Sequence, residues 1–399
     1  MVRVEPLFVA FAVLALMLTA CQSSSSGEPA AAASPTTQGT GCPATVGRLG
    51  PGDGTLFGLN LDWARDTPAA ASERLGREPA VYVLFASYPP TPEEWKGIEE
   101  AASTLLTKRA ALLLTLEPMG GLSTVTAENA AALASHLATY NSRGLPVYLR
   151  FGHEMNGSWY PWSQQPEQYA AAFQLIANAV HRAAPLTATV WAPNYGGGYP
   201  FGGGRYNAVR GGAAYASLDT NHDGQVSSED DPYAPYYPGD DSVDWVGISL
   251  YHWGNAYPWG ENEMPEGGKF VAQLRGLYSG VGGDETAVPD FYGLYAEGRG
   301  KPLAITETAA FYEPGEPGAP AASIKEAWWT QVFAAVSELP GIRMVNWFEW
   351  SKFEGEVNHE VDWTVSNEPS MAGRFAAALP PRFLFAPLYA GCPGKASKT

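Results

Sequence analysis

The sequence predicts a closed (β/α)8 barrel. Three observations carry the prediction: eight short apolar runs rich in β-branched and aromatic residues, helix-like stretches between them, and polar or Gly/Pro-rich sequence where each run ends. Runs that stay apolar along their whole length suit strands covered on both faces, the situation in a parallel sheet. A doubly wound open sheet is the rival architecture. It would carry a Gly-rich phosphate loop after its first strand, where GLNLDWARD stands instead.

The first run is TLFGLNL (Thr55–Leu61), followed by AVYVLFASY (Ala80–Tyr88) and ALLLTLEPM (Ala111–Met119). TPEEWKGIEEAASTLLTKRA joins the second to the third. It opens on Thr91 as N-cap and Pro92 as first helical residue, where a missing N–H leaves no helical bond unmade. TAENAAALASHLATYNSRG leads to the fourth run and stops at Gly144. PVYLRFGHE (Pro146–Glu154) is the fourth, and QPEQYAAAFQLIANAVHRAAP connects it to the fifth, TATVWAPN (Thr187–Asn194). DWVGISLYH (Asp244–His252), KPLAITET (Lys301–Thr308) and IRMVNWFEW (Ile342–Trp350) complete the set, with IKEAWWTQVFAAVSELPG before the last.

In a barrel of this kind chemistry sits at the carboxyl ends of the strands. Those ends read NLDW, ASYP, LEPMG, GHEMNG, APNYGGGY, SLYHWG, TETAAF and FEWSK, dense in carboxylates, amides and rings, while the strand bodies are hydrocarbon. Glu154 closes the fourth run and Glu307 the seventh. Simple alternation puts Arg150, Gly152 and Glu154 on one face of their strand, and Leu303, Ile305 and Glu307 on one face of theirs. Two carboxyls converging on one mouth can flank a glycosidic bond. At about 5–5.5 Å the reaction proceeds by double displacement with retention, and at about 6.5–9.5 Å a water fits and the product is inverted. Glu117 and Glu349 also end runs and compete for the same work.

Composition narrows the ligand. The chain is 12% aromatic with 13 Trp and 20 Tyr, which suits stacking on sugar faces. Its net charge of −17 argues against nucleic acid, because phosphate binding needs a basic field. A neutral ligand fits better.

RFGHEMNGSWYPW (Arg150–Trp162) together with KPLAITETAAF resembles glycoside hydrolase family 26. That is a retaining (β/α)8 family best known for endo-β-1,4-mannanases, which also holds mixed-linkage β-glucanases and β-1,3-xylanases. The resemblance implies that Glu154 is the general acid/base and Glu307 the nucleophile. His153 would position the sugar or the neighbouring carboxylate, Tyr251 would hydrogen-bond the nucleophile, and Trp347 would form a floor under the sugar. Arg150 and Asn194 would belong to the polar shell. Trp159 and Trp162 read either as platforms for the glycan or as loop packing. The implied activity is endo-hydrolysis of a neutral polysaccharide, β-1,4-mannan first, by a monomer needing no cofactor for catalysis. Mannanases of the family carry a His near the end of strand three, where this chain has Glu117, so mixed-linkage β-glucan, β-1,3-xylan and bacterial exopolysaccharide stay open. From another class, a non-catalytic glycan-binding lipoprotein would keep the rings and could lose a carboxylate.

A long insertion after the fifth run contains DTNHDGQVSSED. Asp219, Asn221 and Asp223 occupy positions one, three and five of a calcium loop, Gly224 the sharp turn at six, and Gln225 offers its carbonyl at seven. Ser227 stands at nine and Asp230 at twelve, a shorter arm than the usual Glu. A structural Ca2+ is expected, with a solvated acidic turn as the alternative.

At the amino terminus, Arg3 and an apolar run from Leu7 to Leu18 form an export signal, too short for a permanent span. LTAC, ending at Cys21, resembles the lipobox of bacterial lipoproteins, which implies a lipidated Cys21 and contact with membrane only through that anchor. The expected organisation is a signal at 1–20, a disordered Ser/Ala/Pro/Thr tether at 21–41 and the barrel at 42–395, exported to the cell surface or secreted. With Cys21 consumed, Cys42 and Cys392 remain as a disulfide couple that would latch the two ends of the barrel, or as two free thiols.

Overall fold

The computed structural model describes residues 47–257, 259–280, 285 and 288–388, all inside a compact unit spanning Thr40–Thr399. Cys21, Cys42 and Cys392, the apolar leader and the tether lie outside the described residues. Among the described residues no helix is long and apolar enough to cross a membrane.

Eight parallel strands form the predicted barrel: β1 (Thr55–Leu61), β2 (Val81–Ser87), β3 (Ala111–Glu117), β4 (Val147–Phe151), β5 (Thr187–Trp191), β6 (Trp245–Ser249), β7 (Leu303–Thr308) and β8 (Ile342–Glu349). Each pairs with the next, and β1 pairs with β8 from Leu56↔Met344 to Leu61↔Glu349, which closes the sheet. Every strand contributes to the interior, where Leu56, Val83, Leu113, Tyr148, Val190, Trp245, Ala304 and Met344 pack together. Leu49 plugs the floor, where the Leu49 carbonyl accepts from the Tyr148 hydroxyl (2.8 Å) and the Arg48 carbonyl from Trp245 Nε1 (3.1 Å). The opposite face of the same strands, including Leu59, Tyr82, Leu149 and Ile305, lies under the helices.

The helices are α1 (Pro68–Leu75), α2 (Pro92–Lys108), α3 (Ala127–Ser142), α4 (Pro166–Ala183), α5 (Tyr215–Leu218), α6 (Lys269–Leu274), α7 (Ala321–Glu338) and α8 (Pro369–Ala378). α2 begins as its sequence dictates: Thr91 and Glu94 exchange hydrogen bonds in a capping box with Pro92 at the first position. It buries Ile98, Ala101, Ala102 and Leu105, one stripe at helical spacing. α3 ends just before Gly144, whose φ of 93° no other residue adopts easily.

Three excursions from the plain barrel surround its mouth. The insertion between β5 and β6 carries α5 and the acidic loop, and a second one between β6 and β7 carries α6. A hairpin of β9 (Ser351–Glu354) and β10 (His359–Asp362) follows β8. At the floor, β11 (Phe383–Leu384) pairs with the start of β1, Thr55↔Phe383.

Candidate active site

The strand phases at the two glutamates differ from simple alternation. β4 stops at Phe151, three residues before Glu154. Gly152 (φ 54°) and Glu154 (φ 53°) are both left-handed, so the chain turns over the barrel mouth, and a Cβ on Gly152 would stand 3.0 Å from the Tyr169 ring. The Glu154 N–H donates to the Ala192 carbonyl (2.9 Å), tying this turn to the end of β5. On β7, Leu303 and Ile305 face the helices while Ala304 faces the interior. Strict alternation would therefore have pointed Glu307 outward. A bulge intervenes: Ile248↔Ile305 is followed by Ser249↔Glu307, and Ile305↔Val345 by Thr308↔Trp347, so β7 holds one extra residue against both neighbours. The extra residue reverses the phase and brings Glu307 inward.

Glu307 is held by two donors. Arg150 Nη2 lies 2.5 Å from Oε1 and the Tyr251 hydroxyl donates to Oε2 at 2.6 Å. Both oxygens thus accept hydrogen bonds, the arrangement of an ionised carboxylate. Arg150 is fixed in turn, its Nε donating to Thr115 Oγ1 (2.9 Å) and its guanidinium lying 5.2 Å over the Phe85 ring. Burial first, and then the charge of Glu307, hold the Tyr251 hydroxyl well above its usual range, so it stays a donor.

Glu154 is the complementary group. Burial, followed by the charge of Glu307, pushes its carboxyl up to about 7, against opposing pulls from Ser249, Arg150 and Trp159. Trp159 Nε1 donates to its Oε2 (3.1 Å), and a Cβ on Gly157 would collide with that indole. Asn156 clips the turn to the next loop, accepting from the Asn194 N–H and donating to the Asn194 carbonyl, both at 2.8 Å. Asn194 is thereby placed at the rim, its own amide donating to the Tyr195 carbonyl (3.3 Å). His153 is buried among Phe85, Tyr160 and Trp162, and burial, then Arg150, holds its imidazole well below the usual range and neutral.

Two ring assignments are corrected. Trp347 is fully buried and packs against Phe333 of α7 (6.4 Å) and Phe375 of α8 (5.1 Å), so it belongs to the helix layer and cannot floor a sugar. Its inward neighbour Phe348 stands beside Tyr251 (5.8 Å) and stacks on Trp350 (5.7 Å). Trp162 is also fully buried, stacked behind Tyr160 at 4.4 Å with its Nε1 bonded to the His153 carbonyl, so it is packing and not a platform. Trp159, 37% exposed, remains at the mouth. Tyr160 and Phe348 escaped sequence reasoning because each stands next to a Trp that drew the assignment.

Of the competing acids, Glu349 is buried on the helix side, where it accepts from the Val365 and Ser366 amides and the Ser366 hydroxyl. Glu117 does reach the mouth; burial first, with Glu307 adding to it, pushes its carboxyl up to about 7 despite Arg150.

In the acidic loop, His222 (φ 62°) and Gly224 (φ 88°) turn the backbone. The amides of Asp223, Gly224 and Gln225 donate to the side chains of Asp219, Asn221 and Asp223, orienting their oxygens. Asp230 accepts from the Thr220, Asn221 and Ser227 amides and so closes the loop by hydrogen bonds.

Residues 109–201, from the start of β3 to beyond β5, match the family model of glycosyl hydrolase family 26. Endoglucanase H of Acetivibrio thermocellus is 23% identical over 300 residues, covering 72% of this chain and 26% of that protein. The chain therefore spans about a quarter of the length of the curated relative it matches. An endo-β-1,4-mannanase double mutant of Cellulomonas fimi superposes with a TM-score of 0.51 at 18% identity, over 85% of this chain and 73% of that one. The catalytic domain of a Bacillus sp. JAMB-750 family 26 endo-β-1,4-mannanase gives 0.52 at 16% identity, over 85% and 90%. Those two similarities speak for the barrel fold alone. The family match falls on the segment that carries Arg150, Glu154 and Trp159, so that segment is similar to glycosyl hydrolase family 26.

Proposed function

We propose that the chain is a retaining endo-β-glycanase acting on a neutral polysaccharide, with β-1,4-mannan the first candidate. One observation carries the reading: two carboxylates meet at one mouth with opposite environments, Glu307 held by Arg150 and Tyr251, and Glu154 pushed up to about 7 by burial and by Glu307. Environments that separate two acids in this way assign the nucleophile and the acid.

In the first step a Glu307 oxygen attacks the anomeric carbon while the glycosidic C–O bond breaks, and the leaving oxygen takes the Glu154 proton. In the second, water attacks the glycosyl ester, gives a proton to Glu154 and releases Glu307 as carboxylate. Arg150 and Tyr251 hold Glu307 in line for both. Trp159 keeps Glu154 at the rim, and no step needs a cofactor.

The relatives named above act on different glucans and mannans by their names, so the substrate is decided by assay. Mannan, barley β-glucan and β-1,3-xylan are incubated with the chain and the products sized. Proton NMR of the first products should show the β-anomer. An initial α-anomer would overturn double displacement, and undiminished hydrolysis in Glu307→Ala would overturn the site.

Two accessory features belong to the same reading. Asp219, Asn221, Asp223, the Gln225 carbonyl and Asp230 would hold a Ca2+ that stiffens the insertion beside the cleft, supported by the oriented donors of that loop. Export, with Cys21 lipidated and Cys42 bonded to Cys392, is supported by the leader sequence.

A further inference from the structure

The barrel mouth holds polar groups that the two-glutamate scheme leaves unused. Glu117 ends β3 above Thr115 and Leu113 on the inward side of that strand; Leu113 packs in the barrel interior and Thr115 anchors Arg150. Its carboxyl is half-buried and makes no hydrogen bond or ion pair among the described residues. Across the β2–β3 pairing, Phe85 lies opposite Thr115 and provides the apolar wall below Arg150 and His153. The Tyr160 ring, 5.0 Å from His153, closes the far side of the same recess. Its hydroxyl also has no partner among the described residues, yet it lies in the field of Glu154, Glu117 and Glu307.

A carboxyl taken from water without a partner is destabilising, and a ligand that donates hydrogen bonds to it removes that penalty. Arg150 already lies close enough to act on Glu117 electrostatically, so the recess does not call for a cationic ligand. Hydroxyl donors are the chemistry that fits. A uronic acid would add a third negative group beside Glu117 and Glu307, and an O-acetyl group would take the donor away.

We propose that Glu117 and Tyr160 form a recognition pair for the sugar unit seated over Phe85, on the β2–β4 side of the cleavage point, and select a neutral unit whose hydroxyls there are free. This rests on the glycosidase reading and narrows its substrate class: Glu117 accepts from two hydroxyls and Tyr160 hydrogen-bonds a third, while Glu154 and Glu307 carry the chemistry.

The test combines turnover and binding at pH 8. Steady-state hydrolysis is measured for the parent chain, Glu117→Gln and Tyr160→Phe on whichever of mannan, barley β-glucan and β-1,3-xylan the parent degrades. Hexasaccharides of β-1,4-mannose, β-1,4-glucose and β-1,4-glucosamine are titrated into Glu154→Gln and into Glu154→Gln/Glu117→Gln, followed by tryptophan fluorescence. Loss of hydrogen bonds to an ionised group should raise KM roughly ten- to hundredfold in Glu117→Gln, with kcat within about threefold. The double variant should lose a matching share of affinity for a neutral hexamer, and the unfolding midpoint should not fall. A fall in kcat with unchanged KM, or a glucosamine hexamer that binds best and loses most on Glu117→Gln, overturns the pair while leaving the glycosidase reading intact. A parent chain that neither degrades nor binds any of these glycans overturns both.

Discussion

Trp347 separates a structural from a functional ring by experiment. Its indole is fully buried between Phe333 and Phe375, and its Nε1 has no partner among the described residues. A side chain of this size buries on the order of 250 Å², which at about 25 cal/mol per Å² is about 6 kcal/mol as an upper bound. Truncations of buried rings cost less, about 3–5 kcal/mol, because the site partly collapses. Removing an unpaired buried N–H returns roughly 1 kcal/mol or more of that. Trp347→Ala is therefore expected to lower unfolding free energy by about 3 kcal/mol, read from urea denaturation. Trp347→Phe, which loses the orphan N–H and keeps most of the ring, should change stability by no more than about 1 kcal/mol and leave KM unaltered. A tenfold rise in KM for Trp347→Phe at unchanged stability would refute the placement in the helix layer and return this ring to the sugar.

Tyr251→Phe removes the donor to Glu307 Oε2 and should lower kcat roughly ten- to hundredfold with little change in stability, measured on the best polysaccharide. In the proposed reaction Glu154 acts protonated, and its carboxyl is raised to about 7, so kcat/KM should fall as pH rises through that value; Glu154→Gln should abolish this limb, and a parent profile flat to pH 9 would contradict the assignment. Gly152→Ala meets both a left-handed backbone and the Tyr169 ring at 3.0 Å, so about 1–2 kcal/mol of stability should be lost, visible in denaturant, together with activity as the Glu154 turn shifts. Chelation by EDTA should lower Tm by about 3–5 °C if the acidic loop is saturated with Ca2+, and Asp223→Ala should remove that response.

The barrel was legible because buried parallel strands are written as continuous apolar runs, and the eight strands lie inside the segments so identified. The ends of those strands were less legible. Sequence reading extended the fourth run to Glu154, since nothing in RFGHE announces that Gly152 leaves the extended region. It also put Glu307 inward by alternating with Leu303 and Ile305, the right direction for the wrong reason, because those two residues face the helices. The β9–β10 hairpin was missed for a different cause: SKFE and HEVD are short, polar and stabilised by tertiary contact, so they carry no hydrophobic period.

The irregular ends of β4 and β7 make the site. A strand whose side chains alternate strictly sends every second residue into the core or under the helices, and neither destination suits a carboxylate that must meet substrate. Glu154 escapes because the backbone turns left-handed at Gly152 and again at Glu154 itself, and Glu307 escapes because β7 bulges between Ile305 and Thr308, with one extra residue there against both neighbours. Each irregularity is held by contacts from other elements: the Glu154 N–H on Ala192, the Asn156 clip on Asn194, and Arg150 with Tyr251 on Glu307. Left-handed non-glycine backbone and bulges are mildly unfavourable and persist where surrounding structure over-determines them. The contacts around each glutamate therefore do more than fix a side chain: they hold the backbone irregularity that aims it at the mouth.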